Sequence, residues 1–137
     1  MITIYTAPSC SSCRKAKDWF NEWEIPFVEH DITKKPLEKK DILDILYKTE
    51  NGAEDIISTR SKLFKEKKVD FKTMTTAELV VFIQENPMVL KRPIIVDERK
   101  IQVGYNAEEI TVFIPREKRE AYIETLIKNF WKNYKRR

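Results

Sequence analysis

Apolar positions along this chain change their period several times, and each change predicts an element. Ile2-Thr3-Ile4-Tyr5 is a short β-branched and aromatic run, which predicts a strand. Ala16, Trp19, Phe20 and Trp23 then fall at i, i+3, i+4 and i+7, one face of a helix. Glu24 to His30 predicts a second short strand, with Pro26 at its mouth, where a missing N–H is tolerated. Strand, crossover helix and strand in succession imply parallel pairing.

Residues 31–90 read as mostly helical. Pro36 fits a helix start, and Ile42, Leu43, Ile45 and Leu46 form its inward stripe. Asn51-Gly52 stops that helix, with Gly52 free to adopt a left-handed C-cap. The segment Ile56 to Phe64 predicts a short second helix. Thr75-x-x-Glu78 is a capping-box pattern ahead of Leu79, Phe82 and Ile83, marking a third. Sheet returns at Pro93 to Asp97 and at Lys100 to Gly104. Only Asp97-Glu98-Arg99 joins these runs, so an antiparallel hairpin is expected. Asn106-x-x-Glu109 resembles a cap for a helix through Ile110 and Phe113, ended by Pro115. A last helix carries Tyr122, Ile123, Leu126, Ile127, Phe130, Trp131 and Tyr134 as an apolar stripe, which reads as core packing rather than as an exposed docking surface.

Composition changes this picture little. The 137 residues are 42% hydrophobic and 35% charged, an ordinary globular balance, and a single domain spanning 1–137 is expected. No apolar run approaches the ~20 residues of a membrane span, and no basic-then-apolar leader precedes the first strand, so the expected location is the cytoplasm and no membrane partner is expected. Charge is more informative. The net +4 is uneven: residues 115–137 carry +5 and the other 114 residues −1. A basic C-terminal helix on a near-neutral body suits a polyanion or an acidic protein surface, or serves only as a solubilising tail.

The chemistry concentrates in Thr6-Ala7-Pro8-Ser9-Cys10-Ser11-Ser12-Cys13-Arg14-Lys15, which holds both cysteines of the chain. This Cys-x-x-Cys lies where a strand turns into a helix. Unpaired N–H groups and the helix dipole make that place electropositive, and Arg14 and Lys15 add full charges. Thiolate is favoured there, with Cys10 as nucleophile and Cys13, one turn on, as resolving partner in a disulfide. The cytoplasm keeps thiols reduced, which favours a reversible pair over a structural one. Two half-buried cysteines without a role, and a zinc site, are the other readings. Zinc takes four ligands, and only His30 adds an obvious nitrogen, so no metal and no cofactor are expected. His30, the single histidine, reads as a surface residue.

A β-α-β unit, a helical block, a hairpin and a helix is the order of an α/β thioredoxin-like domain with a mixed sheet and a helical insertion. Its redox half is 1–30 with 91–114, its insertion 31–90 and its C-terminal basic helix 115–137. Such folds set a proline before the third strand, facing the sulfurs, and Arg92-Pro93 is placed to supply it with a cis bond. Four stretches, Thr6-x-Pro-Ser-Cys-x-x-Cys-Arg-Lys-Ala16, Ile57-Ser-Thr-Arg-Ser-Lys62, Arg92-Pro-Ile-Ile95 and Gln102-Val-Gly-Tyr-Asn106, closely resemble the Spx family. These are thiol-responsive transcription regulators of the arsenate reductase (ArsC-like) superfamily. The match runs from Met1 to about Arg116.

The resemblance implies a non-enzymatic regulator of the response to thiol stress. It implies binding to the C-terminal domain of the RNA polymerase α subunit, with a Cys10–Cys13 disulfide favouring the active form. Gly52 matches the glycine presented to the α subunit, and Arg92 the arginine responding to the redox state of the pair. Promoter DNA is then met weakly and only in complex with polymerase, with Arg60, Lys62, Lys65, Lys67 and Lys68 available to touch phosphates. The free protein is expected to be a monomer. ClpXP protease is a further implied partner, although the ending Tyr-Lys-Arg-Arg departs from the small apolar residues typical of Spx.

Two enzymatic readings compete, an arsenate reductase and a thiol–disulfide oxidoreductase. A reductase attacks an oxyanion held by several arginines. Arg60 and Arg92 offer two, but Gly104-Tyr105-Asn106 stands where the resemblance calls for another. A direct DNA reader is a third class, for which no helix-turn-helix or zinc pattern is present.

Overall fold

The structure, a computed structural model, describes residues 1–60 and 70–135. Two compact units divide the chain, Met1–Asn106 and a second beginning at Ala107.

The first unit is built on a four-stranded mixed sheet in the order β2-β1-β3-β4. Its strands are β1 (Ile2–Thr6), β2 (Phe27–Asp31), β3 (Ile94–Val96) and β4 (Ile101–Val103). α1 (Ser11–Glu22) crosses from β1 to β2, which pair in parallel with Ile4 opposite Glu29 and Thr6 opposite Asp31. The other two pairings are antiparallel: Ile4 faces Ile95 across β1 and β3, and Ile95 faces Gln102 in the hairpin. The Arg92–Pro93 peptide is cis. The expected parallel unit, hairpin and cis proline are all present.

Side chains alternate across β1, so Ile4 and Tyr5 are buried on opposite faces. Tyr5, Ile94 and Val96 belong to the main apolar cluster with residues of α2 (Lys39–Lys48), α3 (Ala53–Ile56) and α4 (Thr76–Glu85). Ile42 and Ile45 enter from α2, Ile56 from α3, and Leu79, Val80, Phe82 and Ile83 from α4. Burial raises the Tyr5 hydroxyl to about 12, with Asp41 and Asp44 adding to the effect. On α1 the predicted stripe holds: Ala16, Trp19 and Phe20 are buried and Trp23 partly so.

Four expectations are corrected. Pro36 does not start α2; Glu38 caps it, in a reciprocal box with Asp41. Gly52 does not close α2, which ends at Lys48 with Thr49 as its C-cap; it is the N-cap of α3 instead, at φ 70° and ψ −136°. Ile56 ends a helix rather than starting one, and Ile57 bridges to Leu90. Residues 57–60 of the helix predicted to Phe64 are not helical, and 61–64 lie outside the described residues. His30, expected at the surface, is half-buried, with its ring 5.0 Å from that of Tyr5 and its Nε2 2.8 Å from the Lys35 carbonyl.

The second unit opens with a 3₁₀ turn at Glu109–Phe113, with Glu108 as its N-cap, in place of the helix expected after Asn106. Pro115 follows it, then a 3₁₀ turn at Arg116–Lys118 and α5 (Arg119–Lys135). The apolar stripe of α5 is in the helix as predicted, but it is not core: no residue of α5 is buried. Among the described residues no helix is long and apolar enough to cross a membrane.

Candidate functional site

The loop after β1 places the two cysteines at the head of α1 in a defined way. Ser9 adopts a left-handed conformation, φ 58°, which turns the chain from strand direction into α1. Cys10 is then the N-cap residue of α1, in extended conformation, and the Arg14 N–H donates to its carbonyl at 3.1 Å. Its sulfur does the work usually given to a Ser or Asp oxygen, accepting from the Cys13 N–H at 3.2 Å.

Cys10 and Cys13 are joined by a disulfide with their Cα atoms 5.2 Å apart. Cys10 is half-buried and Cys13 is 2% exposed, so the outer sulfur is the one a reagent meets first. The N–H of Cys13 and the positive end of α1 also favour negative charge on the Cys10 sulfur once the link opens.

Two clefts meet at Cys10. One, of about 410 Å³, is lined by Pro8 to Ser12, Ser58, Leu90, Lys91 and Arg92. The other, of about 470 Å³, is lined by Cys10, Cys13, Arg14, Lys17, Glu29 and Lys34 among others. Arg92 is half-buried and donates to the Met88 carbonyl at 3.2 Å. Burial lowers the affinity of its guanidinium for its proton, the direction in which desolvation acts on a cation. Arg92 and Cys10 thus line the same cleft, with the guanidinium partly desolvated.

In the second cleft, Lys17 Nζ donates to Glu29 Oε2 at 2.8 Å and Thr6 Oγ1 donates to the same oxygen at 2.9 Å. The bond from Lys17, with that from Thr6, holds the Glu29 carboxyl below its ordinary value against the opposing effect of burial. This trio was not singled out from the sequence. Its signal was present: Lys17 is one helical turn beyond Cys13, and parallel pairing of the first two strands sets Glu29 beside β1.

The remaining predicted residues are elsewhere. Gly52 lies away from both clefts, and a Cβ built on it meets nothing within 4 Å. Arg60 is exposed, two residues beyond Ser58. Lys62, Lys65, Lys67 and Lys68 lie outside the described residues. Among the described residues no cluster of His, Cys, Asp and Glu is arranged to hold a metal ion.

Residues 5–113 match the ArsC family. The chain is 51% identical over 119 residues to the global transcriptional regulator Spx of Bacillus subtilis, covering 87% of this chain and 91% of that one. It is 49% identical over 120 residues to Spx of Streptococcus agalactiae, covering 88% of each. Among solved structures, one described as a possible arsenate reductase from Streptococcus mutans aligns with a TM-score of 0.71 at 28% identity, over 82% of this chain and 98% of that one. With its mixed sheet, its disulfide at the head of α1 and its cis proline before β3, the chain belongs to the ArsC family, in the branch of the Spx regulators.

Proposed function

We propose that this protein is a redox-sensing global transcriptional regulator that acts in the cytoplasm by binding the C-terminal domain of the RNA polymerase α subunit. The observation that carries the reading is the shared cleft: Cys10 and Arg92 line one opening, in a chain about half identical to regulators named Spx. In the oxidised state the sulfurs are neutral and tied. Reduction frees Cys10 to carry negative charge beside a partly desolvated guanidinium. The attraction between them, which the disulfide lacks, biases the orientation of Arg92. Oxidation thus alters a patch of surface that a partner reads.

Gly52 is the proposed contact with the α subunit. Its positive φ excludes ordinary side chains, and the open space around it lets another backbone approach closely. Arg60, Lys62 and Arg92 complete the proposed partner surface. Promoter DNA is met by these cationic residues only once polymerase has brought it near. ClpXP is a proposed partner in turnover.

The reductase reading is supported by the fold and by the S. mutans structure. Against it stands the lining of the cleft. Arg92 is there, Arg60 is not among the described lining residues, and positions 104–106 are Gly-Tyr-Asn.

A pull-down with the C-terminal domain of the α subunit tests the docking assignment. Gly52→Ala and Gly52→Arg place similar strain on the backbone, and only the second adds bulk. The expected result is binding by the wild type and by Gly52→Ala, and at least tenfold weaker binding by Gly52→Arg. Equal binding by all three refutes the assignment.

A further inference from the structure

We propose that α5 is a self-association surface on which two copies of this chain pair antiparallel. The helix presents Ile123, Leu126, Ile127, Phe130, Trp131 and Tyr134 to solvent, each between 49% and 63% exposed. Scattered exposed apolar residues need no explanation, but six on one face of one helix form a contiguous patch.

The spacing identifies a helical partner. Ile123, Ile127, Phe130 and Tyr134 follow one another at intervals of 4, 3 and 4, the a/d repeat of a coiled-coil seam. Leu126 and Trp131 flank that seam on either side. The three aromatic residues are already ordered against one another, with Phe130 and Trp131 edge to face at 5.6 Å and Trp131 and Tyr134 at 5.7 Å. A patch organised in this way loses little side-chain freedom on association.

Charge fixes the direction. Both acidic residues of α5, Glu120 and Glu124, are in its N-terminal half, which also holds Arg119, and Lys128, Lys132 and Lys135 are in its C-terminal half. A parallel pair sets the three lysines of one helix level with those of the other and leaves Arg119 against the partner's Glu124 as its one complementary contact. An antiparallel pair centred between Ile127 and Phe130 stacks Ile123 on the partner's Tyr134 and Ile127 on the partner's Phe130. At 100° per residue, Lys135 then falls on the same flank as the partner's Glu120 and Glu124, between them in height. The symmetry is twofold, so each ion pair occurs twice.

Area sets the strength. Six side chains about half exposed remove on the order of 600 Å² per copy, or ~1,200 Å² in total, the lower bound for a stable interface. The dimer is therefore concentration-dependent, and the monomer expected from the sequence is its dilute form. An anionic lipid surface suits the basic half of the helix but not Glu120 and Glu124 at the edge of its apolar face.

Sedimentation equilibrium of the full chain over a range of concentrations tests this, with circular dichroism to verify that each variant keeps its helix. The expected result for the wild type is a mass that approaches twice the monomer value, and for Phe130→Asp a mass that stays monomeric. Lys135→Glu is expected to weaken association at least threefold, and Glu120→Lys with Glu124→Lys added to it to restore it. A wild type that stays monomeric throughout overturns the proposal, as does monomeric wild type recovered with phosphatidylglycerol vesicles. Failure of the triple variant to recover association overturns the antiparallel pairing.

Discussion

Glu29 is a titratable residue in the lining of the cleft beside Cys10 and Cys13. Its carboxylate accepts from Lys17 and Thr6, and both bonds favour the charged form. The folded value is below the ordinary 4.5, so the stability it contributes is present above that value and is lost as pH falls through the folded one. Both partners are about a third exposed, which limits the contribution to under ~1 kcal/mol. Urea denaturation of the wild type and Glu29→Gln at several pH values checks this. The two are expected to differ at neutral pH and to converge in acid; a gap that persists in acid contradicts the linkage. Gly52 carries a separate prediction. Its φ of 70° with ψ −136° is a conformation reserved for glycine, so Gly52→Ala is expected to cost about 1–3 kcal/mol in denaturant titration despite the empty space around it. The need for positive φ was legible in Asn51-Gly52, but its place in the chain was not. Thr49 is extended and its hydroxyl donates to the Leu46 carbonyl at 2.6 Å, which closes α2 without a glycine.

Elements whose signals are local and reciprocal were the legible ones. Thr75 and Glu78 form the capping box their spacing predicts, with Thr75 Oγ1 accepting from the Glu78 N–H at 3.1 Å. Thr75→Ala is expected to destabilise the protein by about 1 kcal/mol, and Thr75→Ser by far less, in thermal or urea unfolding. Equal losses would assign the effect to the methyl group instead of the cap. The start of α2 was missed because glutamate is a rare N-cap, so the box between Glu38 and Asp41 carries no conventional signature. The segment after Asn106 was read as a helix when it is a 3₁₀ turn. Pro115 pushes the residue before it out of the helical region, which leaves space for little more than one turn after Glu109. For α5 the period was legible and the burial was not. Periodicity reports which side chains share a face and carries no information on what covers that face.

Across the whole molecule, two of the three strand pairings followed from connection rules, while the β1–β3 pairing that joins them had no local signal. A crossover helix demands parallel strands and a three-residue loop demands antiparallel ones, which leaves few ways to arrange four strands. The thiol site was legible for the same reason, since β1 and α1 place Cys10 and Cys13 together however the rest is arranged. A switch built there must alter the surface without unfolding the molecule, and the chain spacing meets that requirement. A disulfide stabilises mainly by restricting the unfolded chain, and three residues of separation restrict it little, which gives ~2 kcal/mol by the loop-entropy relation. The apolar cluster of Tyr5, Ile42, Ile83 and Ile94 includes neither cysteine. Reduction is therefore expected to lower Tm by roughly 5–8 °C for a chain of this length, with a single cooperative transition retained. Thermal unfolding with and without a dithiol reductant measures this, and Cys10→Ala is expected to match the reduced protein under both conditions. Loss of the transition on reduction would make the link structural. A state that stays folded after reduction is what the proposed switch requires, since the bond that changes is local to the cleft Cys10 shares with Arg92.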